Sequence, residues 1–398
     1  MSQRGDPAGE LRLRPGAAVP NIVSTRPAVA RALVRGLTVD LVPRLLGQLH
    51  ALCGSAHELA ARLALDAARG APAVATSSQR IALGLGAQRE HLRRVWLDWP
   101  RLLGAESDIT ADTLGPLRDL WRQQAGADAA EQGRLLRGWL AAQVFGCAPA
   151  HWLDRVGADR VAAGQTSADR GGSGHVTAGR AARDVWLRDW LAVGATGPAR
   201  WLAACRERAS ELAADADPAL PVATDAAALA AWLGDWQRAR DLPEARWQGR
   251  TRETGCWTRG RALASAAGPA PTPSEPALPA VRLTAFDRIL AKLEEVARLA
   301  TTPDLLAAEG HAVAPGVGVA WVETARGLLA HVAEVDAGGR VVAYDIVSPT
   351  EWNFHPEGAA ARALAALVPD ARVAASDCAL LAAAFDPCVS YVLEDERA

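Results

Sequence analysis

Apolar residues recur at helical spacing over most of the chain. Residues 24–70 read as consecutive helices: in "STRPAVARALVRG", Ser24 and Thr25 precede Pro27 in a first helical turn and Gly36 stops the run. "DLVPRLLGQLHALCGSAHELAARLALDAARG" keeps the period and ends at Gly70, a residue suited to the left-handed position after a helix. Residues 79–155 are again helical and carry Trp96, Trp99, Trp121, Trp139 and Trp152. The polar, Gly/Ser-rich stretch 156–182 predicts a mobile loop, and helices resume over 183–240. The proline-rich segment "AGPAPTPSEPALPA" (267–280) predicts a linker. Beyond it, "TAFDRILAKLEEVARLA" starts with a Thr-x-x-Asp pattern resembling a capping box. Its Phe286, Ile289, Leu290, Leu293, Val296 and Ala297 share one apolar face.

The period then changes to that of strands. "VGVAWVE", "LLAHVAEV" and "RVVAYDIV" predict strands, and "DAGG" (336–339) predicts a hairpin turn. The pattern as a whole predicts a mainly α fold with a small antiparallel β-sheet near the C-terminus. Residues 1–20 are expected to be a flexible segment or an edge strand. A helical part over 21–266 and a helix-plus-hairpin part over 281–398 are expected to pack as one domain, although the linker is equally compatible with two.

Composition narrows the function classes. The chain has 398 residues, half of them hydrophobic, and a formal charge of −2, as in an ordinary soluble globular protein. It has no basic arm and no charge block, so a nucleic-acid partner is not expected. No apolar run reaches the ~18–20 residues of a membrane span, so no membrane insertion is expected. "MSQRGDPAGELRLRPG" lacks the apolar stretch of a secretory signal, which points to the cytoplasm. In that compartment the six cysteines should be thiols. Cys147, Cys205 and Cys378 sit in alanine- or leucine-rich surroundings and read as small buried hydrophobes. Lys292 is the sole lysine, a bias that reflects genome composition rather than function.

Four stretches carry residues suited to chemistry. In "LHALCGSAHELA", a single helix would put His50, Cys53 and His57 on one face, a soft donor set for zinc, iron, nickel or copper. Cys53-Gly54 is also a place where the helix can break, and a core cysteine between two half-exposed histidines is the other reading. "WVETARGLLAH" sets Glu323 and Arg326 at a strand end before Gly327, where a turn can aim the arginine into a cavity; a surface ion pair is the alternative. "SPTEWN" places Thr350 after the next strand, either presenting its hydroxyl on the same side or forming a plain turn. In "AFDPCVSYVLEDER", Asp386 stands beside Cys388, able to accept a hydrogen bond or carry a proton; an unremarkable turn fits equally well.

Taken in order, these stretches resemble the large subunit of nickel-iron hydrogenases, and more closely the HupK-type hydrogenase expression/formation proteins. The family patterns are R-x-C-G-x-C-x-x-x-H, E-A-P-R-G-x-L-x-H, P-T-x-W-N and D-P-C-x-x-C-x-x-H. Here "ETARGLLAH" matches in Glu323, Arg326, Gly327, Leu329 and His331, and "PTEWN" matches outright. "ETGCWTR" (253–259) is similar to the family's E-T-G-P-L-A-R, and "VFGCAPAHWL" (144–153) to a further family stretch. The register that keeps His57, Leu59 and Ala64 to Ala68 without a gap puts Cys53 at the second cysteine of the N-terminal motif and His50 at the first. A rival register, matching Cys-Gly, puts Cys53 at the first. At the C-terminus Cys388 is kept, while Tyr391 and Glu394 stand where the second cysteine and the histidine would be.

Half the thiolates of a nickel-iron site are therefore missing, and "RLRPG" (12–16) lacks the family's nearby glutamate. Hydrogen turnover is not expected, nor is nickel. The resemblance implies a non-catalytic scaffold in hydrogenase maturation that holds an Fe(CN)2(CO) fragment transiently. Cys53 and Cys388 would be its thiolates, and His50 and His57 auxiliary ligands. Arg326 and Thr350 would hydrogen-bond the cyanides, with Glu323 and Asp386 supporting them. Its expected partners are hydrogenase maturation proteins and the hydrogenase large subunit. The alternative is a metal-free module that docks those partners by imitating the large subunit.

Overall fold

The computed structural model describes residues 9–50, 53–103, 115–124, 128–157, 173–220, 225–238, 244–266, 281–368 and 371–394. The strands in chain order are β1 (Glu10–Leu13), β2 (Ile22–Ser24), β3 (Ala213–Asp215), β4 (Arg282–Thr284), β5 (Ala308–Ala314), β6 (Val317–Thr324), β7 (Gly327–Val335), β8 (Val341–Val347) and β9 (Ser390–Leu393). Helices make up most of the remainder, as the apolar period predicts. No helix among the described residues is long and apolar enough to cross a membrane.

Strands β5 to β8 form an antiparallel sheet in chain order. The turn expected at 336–339 joins β7 to β8, with the Asp336 carboxylate accepting the amides of Gly338 and Arg340 at 2.9 Å each. β5 carries no clear alternation ("AEGHAVA") and was not anticipated. Two further sheets appear, β3 with β4 and β2-β1-β9. The last is not purely antiparallel: β1 pairs antiparallel with β2 but parallel with β9, so the N-terminal strand is the middle of a sheet and not its edge.

The helical run 24–70 is three helices: Val29–Val34, Val42–Leu49 and Gly54–Ala68. The third is rich in buried alanines (Ala56, Ala60, Ala61, Ala64, Ala67, Ala68) and lies against β5, β6 and β7. Small residues on both sides make that approach possible: a Cβ at Gly318 would sit 2.1 Å from the Ala64 carbonyl oxygen. The loop expected over 156–182 is in part helical, since the helix Ser173–Val193 starts within it. The linker 267–280 lies outside the described residues.

The helix Ala285–Thr301 has the anticipated capping box. The Thr284 hydroxyl accepts the Asp287 amide at 3.0 Å, and the Asp287 carboxylate accepts the Thr284 amide at 3.0 Å. Its apolar face is buried as expected, but so are Arg288, Lys292, Glu294 and Glu295. Charges on a helix buried all round must be paired. Arg288 donates to both Glu253 oxygens at 2.8 and 3.0 Å, and Glu295 accepts Arg259 at 2.8 and 2.6 Å. Lys292 reaches Asp386 at 3.4 Å, which links this helix to the cysteine-bearing turn.

Candidate functional site

Cys388 and Thr350 meet. The Thr350 hydroxyl donates to the Cys388 Sγ at 3.1 Å, and the Cys388 amide donates to the Thr350 Oγ1 at 3.2 Å. Thr350 is held in the short helix Pro349–Asn353, capped by Ser348 and Glu351. Cys53 is the N-cap residue of Gly54–Ala68 and lines a cavity of about 230 Å³ with Ser55, Leu83, Glu90, Thr324 and Arg326. Burial pushes the Cys53 thiol up to about 11; Arg326 and Arg26 pull against that, while Cys388 and Glu90 add to it. The two cysteines, from opposite ends of the chain, thus lie within electrostatic reach of each other and of the same guanidiniums. All six cysteines are free thiols.

Arg326 is 7% exposed, not a surface residue. It precedes Gly327, whose φ of 132° and packing against Thr254 leave no room for a side chain. Its Nη1 donates to Glu90 at 3.3 Å. Its Nε faces the Asp386 carboxylate at 3.5 Å, an ion pair without a hydrogen bond.

Of the two roles expected for Asp386, it takes that of hydrogen-bond acceptor, from Arg94 Nε at 2.7 Å, and not that of proton carrier. It is buried in a left-handed backbone position (φ 54°) and faces Arg94 at 2.7 Å, Lys292 at 3.4 Å and Arg326 at 3.5 Å. Burial opposes its charge, but Lys292, Arg94 and Arg326 outweigh it and hold the carboxyl far below the usual range. It is a fixed anion that organises three cations. Glu323 likewise turns elsewhere: it accepts the Ala307 amide at 3.0 Å and faces Arg259 at 3.7 Å.

His50 and Cys53 do not share one helix: His50 caps the end of Val42–Leu49 and Cys53 the start of Gly54–Ala68. His50 and His57 nevertheless stack at 3.6 Å. His57 Nδ1 meets His331 Nε2 at 3.0 Å, and His331 Nδ1 meets the Tyr344 hydroxyl at 2.6 Å. Burial keeps these histidines neutral: His50 is lowered to about 4, with Arg26 adding to the effect, and His331 to about 3. Neutral imidazoles can ligate a metal, and the buried Nε2 of His50 has no partner.

Sequence reasoning missed Arg26, Glu90, Arg94 and Lys292 as neighbours of this site, since none stands in a recognisable motif. It also missed a second cluster. His91 Nε2, Cys256 Sγ and Glu295 Oε1 lie within 4.8 Å of one another. Their chemistry suits a transition metal, but Glu295 already takes two charge-assisted bonds from Arg259, and Lys292 acts on the Cys256 thiol. One imidazole nitrogen faces both the thiol and the carboxylate, at 3.8 and 3.0 Å, so the group is not a Cys-His-Glu relay either. We read it as a structural network joining three helices. Tyr391 and Glu394 belong to the β1–β9 strand pairing: Tyr391 is in register with Leu11, and Glu394 binds Arg14 at 3.0 Å and the Leu13 carbonyl at 2.8 Å.

No family model matches the chain. Two solved structures align with it at low similarity, an NAD+-reducing nickel-iron hydrogenase in the H2-reduced state and the membrane-bound sulfane sulfur reductase, an archaeal respiratory complex. The first is 16% identical over 92% of this chain and 91% of that one, with a TM-score of 0.46. The second is 13% identical over 95% and 91%, with a TM-score of 0.44. Full-length protein relatives are closer. The hydrogenase expression/formation protein HoxV of Cupriavidus necator is 33% identical over 97% of this chain and 95% of its own length. The hydrogenase expression/formation protein HupK of Rhizobium leguminosarum bv. viciae is 30% identical over 95% and 92%. The chain belongs to this HoxV/HupK family of hydrogenase expression/formation proteins.

Proposed function

We propose that this protein is a non-catalytic scaffold in nickel-iron hydrogenase maturation, built on a large-subunit-like fold, and that it holds an Fe(CN)2(CO) fragment as cargo before delivery to the large subunit. The observation that carries the reading is Arg326, a buried guanidinium on a cavity that it shares with Cys53. An anionic ligand in that cavity would accept a charge-assisted hydrogen bond from the guanidinium.

Each residue then has a task. Cys53 and Cys388 bind the iron as thiolates, and Thr350 positions Cys388 by donating its hydroxyl to the sulfur and accepting the Cys388 amide. The cost of stripping the proton from a thiol raised to about 11 makes an empty Cys53 protonated at neutral pH, so loading releases a proton. Two thiolates instead of four suit a site that lets its cargo go. His50, with its unpartnered nitrogen, is an auxiliary donor; His57 acts through its contact with His331.

The test is infrared spectroscopy of protein purified anaerobically after co-production with the maturation proteins. CO and CN stretching bands with bound iron are expected. Their absence, with no iron, would remove the carrier reading. Hydrogenase maturation that survives both Cys53→Ala and Cys388→Ala would favour the metal-free docking module instead.

A further inference from the structure

The three-stranded sheet places Arg26 beside the thiol site. Leu11 of β1 is in register with Ser24 of β2 on one side and with Tyr391 of β9 on the other. Because β2 runs antiparallel and β9 parallel to β1, the chain leaves β2 toward Arg26 and enters β9 from Cys388 at the same end of the sheet. The two flanking strands are about 10 Å apart, two strand spacings. The Arg26 backbone is fixed there: the Thr25 amide donates to the Glu10 carbonyl at 2.9 Å, and a side chain at Gly9 would strike the Arg26 Cα at 2.5 Å.

The Arg26 side chain reaches the turn that carries Thr350. Nη1 donates to the Ser348 hydroxyl at 2.6 Å and to Glu351 at 2.9 Å. Cys388 hangs from Thr350 in the same turn. Both side-chain hydrogen bonds of Arg26 among the described residues run through Nη1, which leaves Nε and Nη2 for another acceptor. Its side chain is 20% exposed, and its charge acts on Cys53, Cys388, His50 and His57.

We propose that Arg26 is a second guanidinium that recognises the anionic cargo, latched beside the thiols by Ser348 and Glu351. This rests on the scaffold reading above. A ferrous ion with two cyanides and one carbonyl is neutral, and two thiolates make the bound complex a dianion. Arg326 is already partly neutralised by Glu90 and Asp386, so it does not balance that charge alone. Arg26, itself paired with Glu351, adds Nε and Nη2 donors for an anionic acceptor such as a cyanide nitrogen.

Four proteins purified anaerobically with the maturation proteins decide it: wild type, Arg26→Gln, Arg26→Lys and Glu351→Gln, each checked for an unchanged thermal midpoint. Arg26→Gln should lose most of its iron and shift the CN bands of what remains. Arg26→Lys should keep iron but show CN bands at altered positions, since it keeps the charge and loses the fork. Glu351→Gln should lose less iron than Arg26→Gln, because the cation stays while one arm of its latch is weakened. Arg26→Gln with wild-type bands and iron content would overturn the proposal. So would equal iron loss in Glu351→Gln and Arg26→Gln, which would assign the effect to the latch. Wild type without CN bands would remove the scaffold reading and this inference with it; wild type with bands isolates the inference.

Discussion

Asp386 is the residue on which the charge balance of the site turns. It is buried and faces three cations, of which Arg94 also pairs with Asp98 and Arg326 with Glu90. Removing the charge while keeping the shape, as in Asp386→Asn, should destabilise the fold by about 3–5 kcal/mol, because buried Lys292 loses its carboxylate and Arg94 and Arg326 each lose one of two. Urea denaturation at pH 7 measures this. The sign with pH follows from the depressed carboxyl: its stabilisation is present above the ordinary value of about 3.9 and is lost as pH falls through the folded value. Asp386→Asn should therefore be less stable at pH 7 and have a flatter decline below about pH 4. Only half of this was legible in the sequence. "DPC" marked Asp386 as special, but the roles open to it depended on what surrounded it. Arg94 and Lys292 lie 292 and 94 residues away along the chain. No local pattern encodes such partners, and only the fold sets the carboxylate's role.

At the scale of elements, the helix Gly54–Ala68 and the sheet β5–β8 carry the His57–His331–Tyr344 chain between them. Helical period revealed the apolar helix, and apolar runs rich in valine with a turn between them revealed β6, β7 and β8, of which β6 and β7 are buried on both faces. The break at Cys53 was visible only as an option, and β5 was invisible because its side chains do not alternate. The helix–sheet contact depends on Gly318, where a methyl group would collide with backbone atoms that cannot rotate away. Gly318→Ala should cost about 1–3 kcal/mol, read as a lower denaturation midpoint with an unchanged m-value. The buried histidines give a different signature. They are neutral when folded, with His50 lowered to about 4 and His331 to about 3, so the unfolded chain takes up protons first as pH falls below about 6.5. Stability should decline from there toward pH 4, above the window of Asp386. His331→Phe should make that decline shallower while losing about 1–3 kcal/mol at pH 7 through unpaired His57 and Tyr344. Denaturation curves between pH 7 and 4 test both statements; an unchanged slope would refute the assignment.

For the molecule as a whole, the site is made from the two ends of the chain, and β1 is what joins them. β1 is hydrogen-bonded to β2 and to β9, so it sets where Arg26 and Cys388 stand. A sequence pattern could not disclose this. A four-residue strand such as "ELRL" has too short a period to identify its partners, and a parallel pairing across almost the full chain leaves no local trace. Leu11, 1% exposed, fastens β1 to the core made by the tryptophan-bearing helices. Leu11→Ala should cost about 2–5 kcal/mol, and part of that loss should be local, because the strand can detach before the helices melt. Native-state alkylation separates the two. Cys388, two residues before β9, should react faster in Leu11→Ala, whereas Cys205, 3% exposed among the tryptophans, should keep its wild-type rate. Equal acceleration of both would mean global unfolding and would sink the view of β1 as a local clasp. Faster reaction of Cys388 alone would mean that the protection of the Cys388 thiol and the docking of the first strand are one event.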